Sequence, residues 1–204
     1  MRHNLSQAYV GEMMGVSQPT ISRAVCALTA LTGQALEGWL LTAQEIDPRQ
    51  SYVLDGTPLP CWAWKDHNGL YSGKHRRTGL SLQVLVTLDG RLVWAADPLP
   101  GSAHDVRALD VSGLLEVLDP ATIIADKGYI GRGLITPPKK TSNTQRSELD
   151  KEHARDINKI RYVVERLIAH LKNCRILATS YRPPHHTHKE IITATLSLFT
   201  YATN

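Results

Sequence analysis

The feature that most constrains the fold is a long amphipathic helix, which the sequence predicts from about Glu148 to Cys174. At about 100° per residue, its apolar side is formed by Ile157, Ile160, Val164, Leu167, Ile168 and Leu171. A polar stripe directly beside it carries Asn158, Arg161, Glu165 and Lys172. Glu165 is thus placed at the edge of a core, where a carboxylate needs Arg161 or a bound metal as a compensating cation. Taken alone, the helix fits a surface ion pair between Arg161 and Glu165 better than a metal site.

Two aspartates precede this helix, and each follows a short strand-like run. Residues 52–54 lead into Asp55, and residues 122–125 lead into Asp126. Open α/β sheets place their ligands at the carboxyl ends of strands, so Asp55, Asp126 and Glu165 can converge. Clustered carboxylates suit hard divalent cations, and a pair of such ions can promote attack on a phosphodiester.

Between the two aspartates, the sequence predicts a β-meander followed by a helix. Strands over residues 81–88 and 92–96 flank a hairpin signal at Asp89-Gly90. The helix is predicted over about residues 103–118, with Ser102 and Asp105 at the spacing of a capping box. Asp105 therefore has a structural role available, and it is also the rival candidate for a metal-binding carboxylate.

Residues 1–48 are predicted to form a helix-turn-helix segment and a linker, and Asp47-Pro48 marks the border with a domain over residues 49–204. Gly15 suits the turn, and Ser17 can cap the second helix. The candidate DNA contacts there are Gln18, Thr20, Ser22 and Arg23. Gly11 stands where such motifs usually carry Ala, and a helical hairpin that does not bind DNA is the alternative interpretation.

The charge of the chain is compatible with a polyanionic partner, since its formal net charge is +4. Basic residues suited to phosphate contacts are Lys74, Arg76, Arg77, Lys127, Arg161 and Lys172. The apolar runs are too short for a membrane span, and the first residues do not resemble a secretory signal. The three cysteines stand too far apart to predict a disulfide framework or a zinc site.

Five short motifs occur along the chain in a specific order. They are Leu54-Asp55-Gly56-Thr57, Tyr71-Ser72-Gly73-Lys74-His75, Pro100-Gly101-Ser102-Ala103-His104-Asp105, Ala125-Asp126-Lys127-Gly128-Tyr129 and Arg161-Tyr162-Val163-Val164-Glu165-Arg166. In these motifs the chain resembles the DDE superfamily endonucleases, specifically insertion-sequence transposases grouped with the Harbinger-type elements. The resemblance covers about residues 50–204. Related transposases carry a Tyr, Arg, Glu, Lys signature on the long helix, and here Asn158 occupies the place of the Tyr.

The resemblance implies an α/β fold of the ribonuclease H type, with a five-stranded mixed sheet flanked by helices. It implies that Asp55, Asp126 and Glu165 are the catalytic residues and bind two divalent cations, Mg²⁺ or Mn²⁺. The implied function is that of a transposase, which cuts double-stranded DNA at element ends and joins it to a target as a homo-oligomer. The expected location is the cytoplasm of a bacterium, in association with the nucleoid. Three alternatives are a nuclease that cuts without joining, a DNA-binding regulator with an inactive nuclease-like domain, and the product of a decayed element.

Overall fold

A computed structural model describes residues 1–62, 69–138, 147–182 and 184–203 of the chain. It consists of a mixed β-sheet with helices packed against it. The strands are β1 (Tyr52–Pro60), β2 (Tyr71–Ser72), β3 (Arg77–Thr87), β4 (Leu92–Ala95), β5 (Leu99–Pro100) and β6 (Ile123–Ile124). The α-helices are α1 (Gln7–Met14), α2 (Gln18–Ala35), α3 (Asp105–Ser112), α4 (Glu148–Leu171), α5 (Arg175–Ala178) and α6 (His188–Thr203).

The sheet combines an antiparallel meander with one parallel strand. Strand β1 pairs with β3 in an antiparallel register, from Tyr52 opposite Thr87 to Pro60 opposite Gly79. On its other edge, β1 pairs in parallel with β6 at two positions, Tyr52 with Ile123 and Val53 with Ile124. Strands β2, β4 and β5 all pair with β3. This arrangement, with helices against the sheet, confirms the predicted ribonuclease H-like α/β fold. In the described residues the sheet has six strands, and not the five that were predicted.

The two faces of β1 contribute to two separate hydrophobic clusters. Val53 packs in a cluster with Val164 and Leu167 of α4, whereas Leu54 packs in a cluster with Leu109 of α3. Side chains alternate between the faces of a strand, so Asp55 lies on the face of Val53 and towards α4. The sheet thereby directs Asp55 towards the helix that carries Glu165.

The long helix was predicted correctly over most of its length. Helix α4 begins at Glu148 and ends at Leu171, three residues before the predicted end. Ser147 is its N-cap, and the Ser147 hydroxyl accepts a hydrogen bond from the backbone amide of Asp150 at 3.1 Å. Its buried residues include Ile157, Val164, Leu167 and Leu171, as the apolar stripe predicts, but the Ile160 side chain is exposed.

Several predicted elements were wrong in their bounds; for example, β3 begins at Arg77 and not at residue 81. Strand β1 does not end at Asp55 but continues to Pro60, because all nine of its residues pair with β3. Helix α3 begins at Asp105, its N-cap is His104, and no side chain caps it, so the predicted capping box is absent. The helix ends after Ser112 because Gly113 adopts a left-handed conformation with φ of 69°, and a 3₁₀ turn (Leu114–Glu116) follows.

Helices α1 and α2 form the predicted pair around Gly15, whose φ is 65°. Ser17 is at the N-cap position of α2, but its side chain hydrogen-bonds the Thr20 hydroxyl at 3.0 Å and does not cap the backbone, contrary to the prediction. Gly11 is buried within α1 and faces the turn, where an added Cβ would lie 2.8 Å from the carbonyl oxygen of Val16. A glycine is therefore required where related motifs carry Ala. The division at residue 48 stays a prediction.

Candidate active site

Asp55 lies in the middle of β1, with its side chain 19% exposed. One carboxylate oxygen accepts a hydrogen bond from the backbone amide of Gly56 at 2.8 Å, and the other lies 3.3 Å from Nη2 of Arg161. Burial raises the pKa of Asp55, the bond from Gly56 and the charge of Arg161 lower it, and the charges of Asp126 and Glu165 raise it again. The charges of the other two predicted carboxylates therefore reach Asp55.

Asp126 follows β6 after one residue, Ala125, and is the N-cap of a 3₁₀ turn (Lys127–Tyr129). Its Oδ1 atom accepts a hydrogen bond from the backbone amide of Gly128 at 2.6 Å, which fixes the orientation of the carboxylate. A Cβ atom on Gly128 would lie 2.7 Å from this same oxygen. The tight turn at the end of a buried strand thus holds Asp126 at the sheet edge, as the sequence predicts.

Glu165 is on the exposed side of α4, and 56% of its side chain is accessible. Arg161, one turn earlier, is only 13% exposed and lies between the two acidic residues that it contacts. Its Nη2 atom is 3.9 Å from Oε1 of Glu165, which is a longer separation than that to Asp55. The ion pair expected within the helix is therefore weak, and the stronger partner of Arg161 is Asp55 on the sheet.

Beside these carboxylates lie Asp105, which the sequence offered as the rival carboxylate, and two residues that were not assigned from the sequence, Gln83 and Tyr129. The carboxylate of Asp105, at the start of α3, accepts a hydrogen bond from Nζ of Lys74 at 2.8 Å. The buried side chain of Gln83 donates hydrogen bonds from Nε2 to the backbone oxygen of Asp105 at 2.8 Å and to the hydroxyl of Tyr129 at 2.9 Å. Tyr129 belongs to one of the five motifs, which is the signal that could have indicated it.

The donor set fits divalent cations by its chemistry. Asp55, Asp126 and Glu165 offer carboxylate oxygens, which are the ligands that Mg²⁺ and Mn²⁺ prefer. The raised pKa of Asp55 shows a carboxylate that a nearby cation would stabilise in its charged form. Within the part of the chain that the structure describes, no three His, Cys, Asp or Glu side chains already form a closed metal-binding group. Positive side chains, Arg161 and Lys74, contact the acidic groups instead.

The predicted DNA contacts within residues 49–204 lie on several elements around the carboxylates. Lys74, Arg76, Arg77 and Lys127 are exposed. Lys172 at the end of α4 is half-buried, and its Nζ donates hydrogen bonds to the carbonyl oxygens of Pro58 and Leu177. Burial, and then the charge of Arg77, lower the pKa of Lys172 to about 8. Lys172 therefore also links α4 to β1, in addition to any contact with DNA.

In the helical pair, Gln18, Thr20 and Arg23 are exposed and Ser22 is half-buried. Nε2 of Gln18 donates to Oε1 of Gln7 in α1 at 2.6 Å, and Nη2 of Arg23 lies 3.5 Å from the Thr20 hydroxyl. These side chains are accessible at the start of α2, and their contact with DNA stays a prediction.

A ribonuclease H-like sheet with acidic residues on β1, after β6 and on α4 is typical of nuclease-type proteins. A family model for the DDE superfamily endonucleases matches residues 54–200, and the chain belongs to this family.

Two relatives are named as transposases of insertion sequences. The chain is 28% identical over 184 residues to the transposase named for element IS112 of Streptomyces albus G, with 86% of this chain covered. It is 31% identical over 187 residues to the one named for element IS702 of Microchaete diplosiphon, with 87% covered. The chain spans 66% and 67% of the lengths of these two relatives. No solved structure is significantly similar to the chain.

The family and the two relatives support a transposase function with endonuclease activity.

Among the residues that the structure describes, no helix is long and apolar enough to cross a lipid bilayer.

Proposed function

We propose that this chain is a transposase that cuts DNA and joins the freed 3′-hydroxyl end to target DNA. The proposal assigns Asp55, Asp126 and Glu165 as the catalytic residues, which would hold two divalent cations, Mg²⁺ or Mn²⁺. The observation that carries it is the contact of Nη2 of Arg161 with two of these carboxylates, Asp55 on β1 at 3.3 Å and Glu165 on α4 at 3.9 Å. The third, Asp126, comes after β6, the strand that pairs in parallel with β1. Such convergence of distant acidic residues is costly unless a cation binds between them.

The residues of the chain prepare this site in distinct ways. The backbone amides of Gly56 and Gly128 orient the carboxylates of Asp55 and Asp126. Arg161 neutralises Asp55 and reaches towards Glu165, so it keeps two acidic groups close in the absence of a ligand. Bound divalent cations would supply activation of the attacking water or hydroxyl and stabilisation of the leaving oxygen. Glu165, which is the most accessible of the three, is placed to complete the site when DNA is present.

DNA would contact the basic residues on both sides of the carboxylates. Lys74, Arg76, Arg77 and Lys127 are accessible to phosphates, and Lys172 and Arg161 lie closer to the reacting bond. Residues 1–48 would bind the ends of the element through α2, and residues 49–204 would carry out catalysis. Because transposition brings two DNA ends together, we expect at least two copies of the chain on the DNA. The protein would act in the bacterial nucleoid.

The test is cleavage of supercoiled plasmid that carries the element ends, in Mg²⁺, Mn²⁺ or EDTA. We expect nicking that requires the metal and that falls by about 10²- to 10³-fold or more in Asp126→Asn and in Glu165→Gln. Glu152→Gln is the matched control, because Glu152 is an exposed carboxylate on the same helix as Glu165 and lies outside the site. This control should cut as the native chain does.

The products of the same experiment separate the other candidate functions. Joined products identify a transposase, whereas nicked products without joining identify a plain nuclease. If Asp126→Asn cuts at the native rate, the assignment of the carboxylates is wrong. If the native chain binds DNA and cuts in none of the metals, a regulator or a decayed element product replaces the proposed enzyme.

A further inference from the structure

Asp105 approaches both segments that carry the predicted aspartates. A Cβ atom added to Gly56, the residue after Asp55, would lie 3.3 Å from Oδ1 of Asp105. A Cβ atom added to Gly128, two residues after Asp126, would lie 3.1 Å from Oδ2 of Asp105 and 2.7 Å from Oδ1 of Asp126. Two carboxylates therefore border the same small space beside Gly128, and the third lies on the neighbouring strand.

Helix capping does not explain why Asp105 is in this place. His104 is the N-cap of α3, and no side chain accepts a hydrogen bond from the first turn of the helix. The backbone oxygen of Asp105 is instead fixed by Nε2 of Gln83, which lies on β3 and is 1% exposed. The sheet itself thus holds the start of α3 so that the Asp105 carboxylate faces the site.

Gln83, which holds the start of α3, also has an unsatisfied polar atom. Its Oε1 atom is buried and accepts no hydrogen bond from the described residues. A buried acceptor without a partner costs about 1 to 3 kcal/mol. Its carboxamide contacts the hydroxyl of Tyr129, which would lie 3.6 Å from a Cβ atom on Gly56. A buried acceptor without a hydrogen-bond partner in the described residues therefore lies on the same carboxamide that contacts Asp105 and Tyr129.

Three carboxylates raise the pKa of the Lys74 ammonium group. Its hydrogen bond to Asp105 is the main cause that raises the pKa of Lys74, and the charges of Asp126 and Asp55 raise it further. The Lys74 side chain is 65% exposed, so this contact costs little to break. On the other side of the site, the less exposed Arg161 contacts Asp55. Lys74 is thus the cation that can most readily leave.

We propose that Asp105 is a fourth carboxylate of the cation site, that it shares a divalent cation with Asp126, and that Lys74 occupies the place of this cation until the metal displaces it. The proposal rests on the proposed function, since that function requires the carboxylates to bind divalent cations. The displaced Lys74 side chain becomes free to contact a DNA phosphate, which couples the binding of metal to the binding of DNA.

The test measures the binding of Mn²⁺ alone to the full chain, by isothermal titration without DNA. We expect Asp105→Asn to weaken the binding at least tenfold, as Asp126→Asn does. Lys74→Met should strengthen it several-fold, because it removes the competing charge and leaves the carboxylates in place. Asp110→Asn is the matched control on the same helix, where Asp110 pairs with Arg132 outside the site, and it should bind Mn²⁺ as the native chain does.

Each remaining outcome contradicts a stated part of the proposal. If Asp105→Asn binds Mn²⁺ as tightly as the native chain while Asp126→Asn does not, Asp105 is not a ligand and the proposed function stands. If Lys74→Met binds with unchanged or weaker affinity, Lys74 does not occupy the place of the cation. If the native chain does not bind Mn²⁺, or if Asp126→Asn binds it normally, the cation site of the proposed function is itself wrong. Near-ultraviolet circular dichroism of each variant shows whether it is folded, and Lys74→Met tests the proposal with all carboxylates intact.

Discussion

Gly128 shows, at the scale of a single residue, how closely the groups of the site approach one another. The position where a side chain would begin is already bordered by oxygens of Asp126 and Asp105. Both distances are shorter than ordinary contacts of a Cβ atom, and the first is one that such atoms essentially never show. A glycine is needed here for space, because its own φ lies outside the left-handed region.

We therefore predict that Gly128→Ala displaces the Asp126 carboxylate and lowers the rate of DNA cleavage at least about tenfold. The melting temperature should change by a few degrees at most, since the residue is at the surface and its backbone conformation suits alanine. Gly73→Ala is the control, because a Cβ atom on Gly73 meets nothing within 4 Å. Equal cleavage rates for the two variants would show that the position of Asp126 tolerates movement.

The three main carboxylates could be predicted individually because each has a local signal. Asp55 and Asp126 follow strand-like runs, and the position of Glu165 follows from the periodicity of its helix. The contact of Lys74 with Asp105 has no such signal. These residues are 31 positions apart, and their contact depends on how the turn between β2 and β3 lies against the start of α3. Local patterns cannot contain that information.

At the scale of elements, β1 illustrates why a correct turn signal can be overridden. Asp55-Gly56 is typical of a strand end, and Pro58 and Pro60 also disfavour a central strand. The strand continues because β3 pairs with all nine of its residues, whereas β6 pairs with its first two. Beyond Val53 the other edge is bordered by side chains, among them Lys172, which donates to the Pro58 carbonyl. Proline is tolerated where no neighbouring strand needs its missing amide.

Replacing a glycine by alanine is expected to have opposite effects on stability at two positions of the helices α1 and α2. Gly11→Ala should lower the free energy of unfolding by about 1 to 3 kcal/mol, because the new methyl group meets the backbone oxygen of Val16. Gly33→Ala, in the open part of α2, should raise it by about 0.5 to 1 kcal/mol through helix propensity. Urea unfolding monitored by circular dichroism measures both. If Gly11→Ala is neutral, the turn between the helices is looser than the structure indicates.

At the scale of the whole molecule, a histidine in the core makes stability depend on pH. His188 begins α6, is 2% exposed, and stacks on Tyr181 with ring centroids 4.0 Å apart. Burial, and then the charge of His185, lower the pKa of His188 from 6.5 to about 4. The unfolded chain therefore binds this proton at a higher pH than the folded chain. The contribution to stability is complete above about pH 6.5 and is lost as the pH falls towards 4.

We predict that the free energy of unfolding falls by about 2 kcal/mol between pH 7 and pH 5 because of His188. His188→Phe keeps an aromatic ring against Tyr181 and should remove most of this dependence. His186→Gln is the control, since His186 is exposed and precedes the same helix. Chemical denaturation at several pH values gives the comparison. An unchanged pH dependence in His188→Phe would assign the effect to other groups.

The parallel pairing between β1 and β6 affects how easily the two strands separate locally. The two strands pair at two positions, and Ile124 of β6 also forms an isolated β-bridge with Ile135. So short a ladder has few backbone hydrogen bonds that resist local separation, and its amide protons should exchange with solvent faster than those between β1 and β3. Asp55 and Asp126 lie just beyond this pairing, on its two sides. The two aspartates that we propose to be catalytic thus flank a pairing of two residue pairs, so we expect substrate access and the integrity of the sheet to depend on the same few hydrogen bonds.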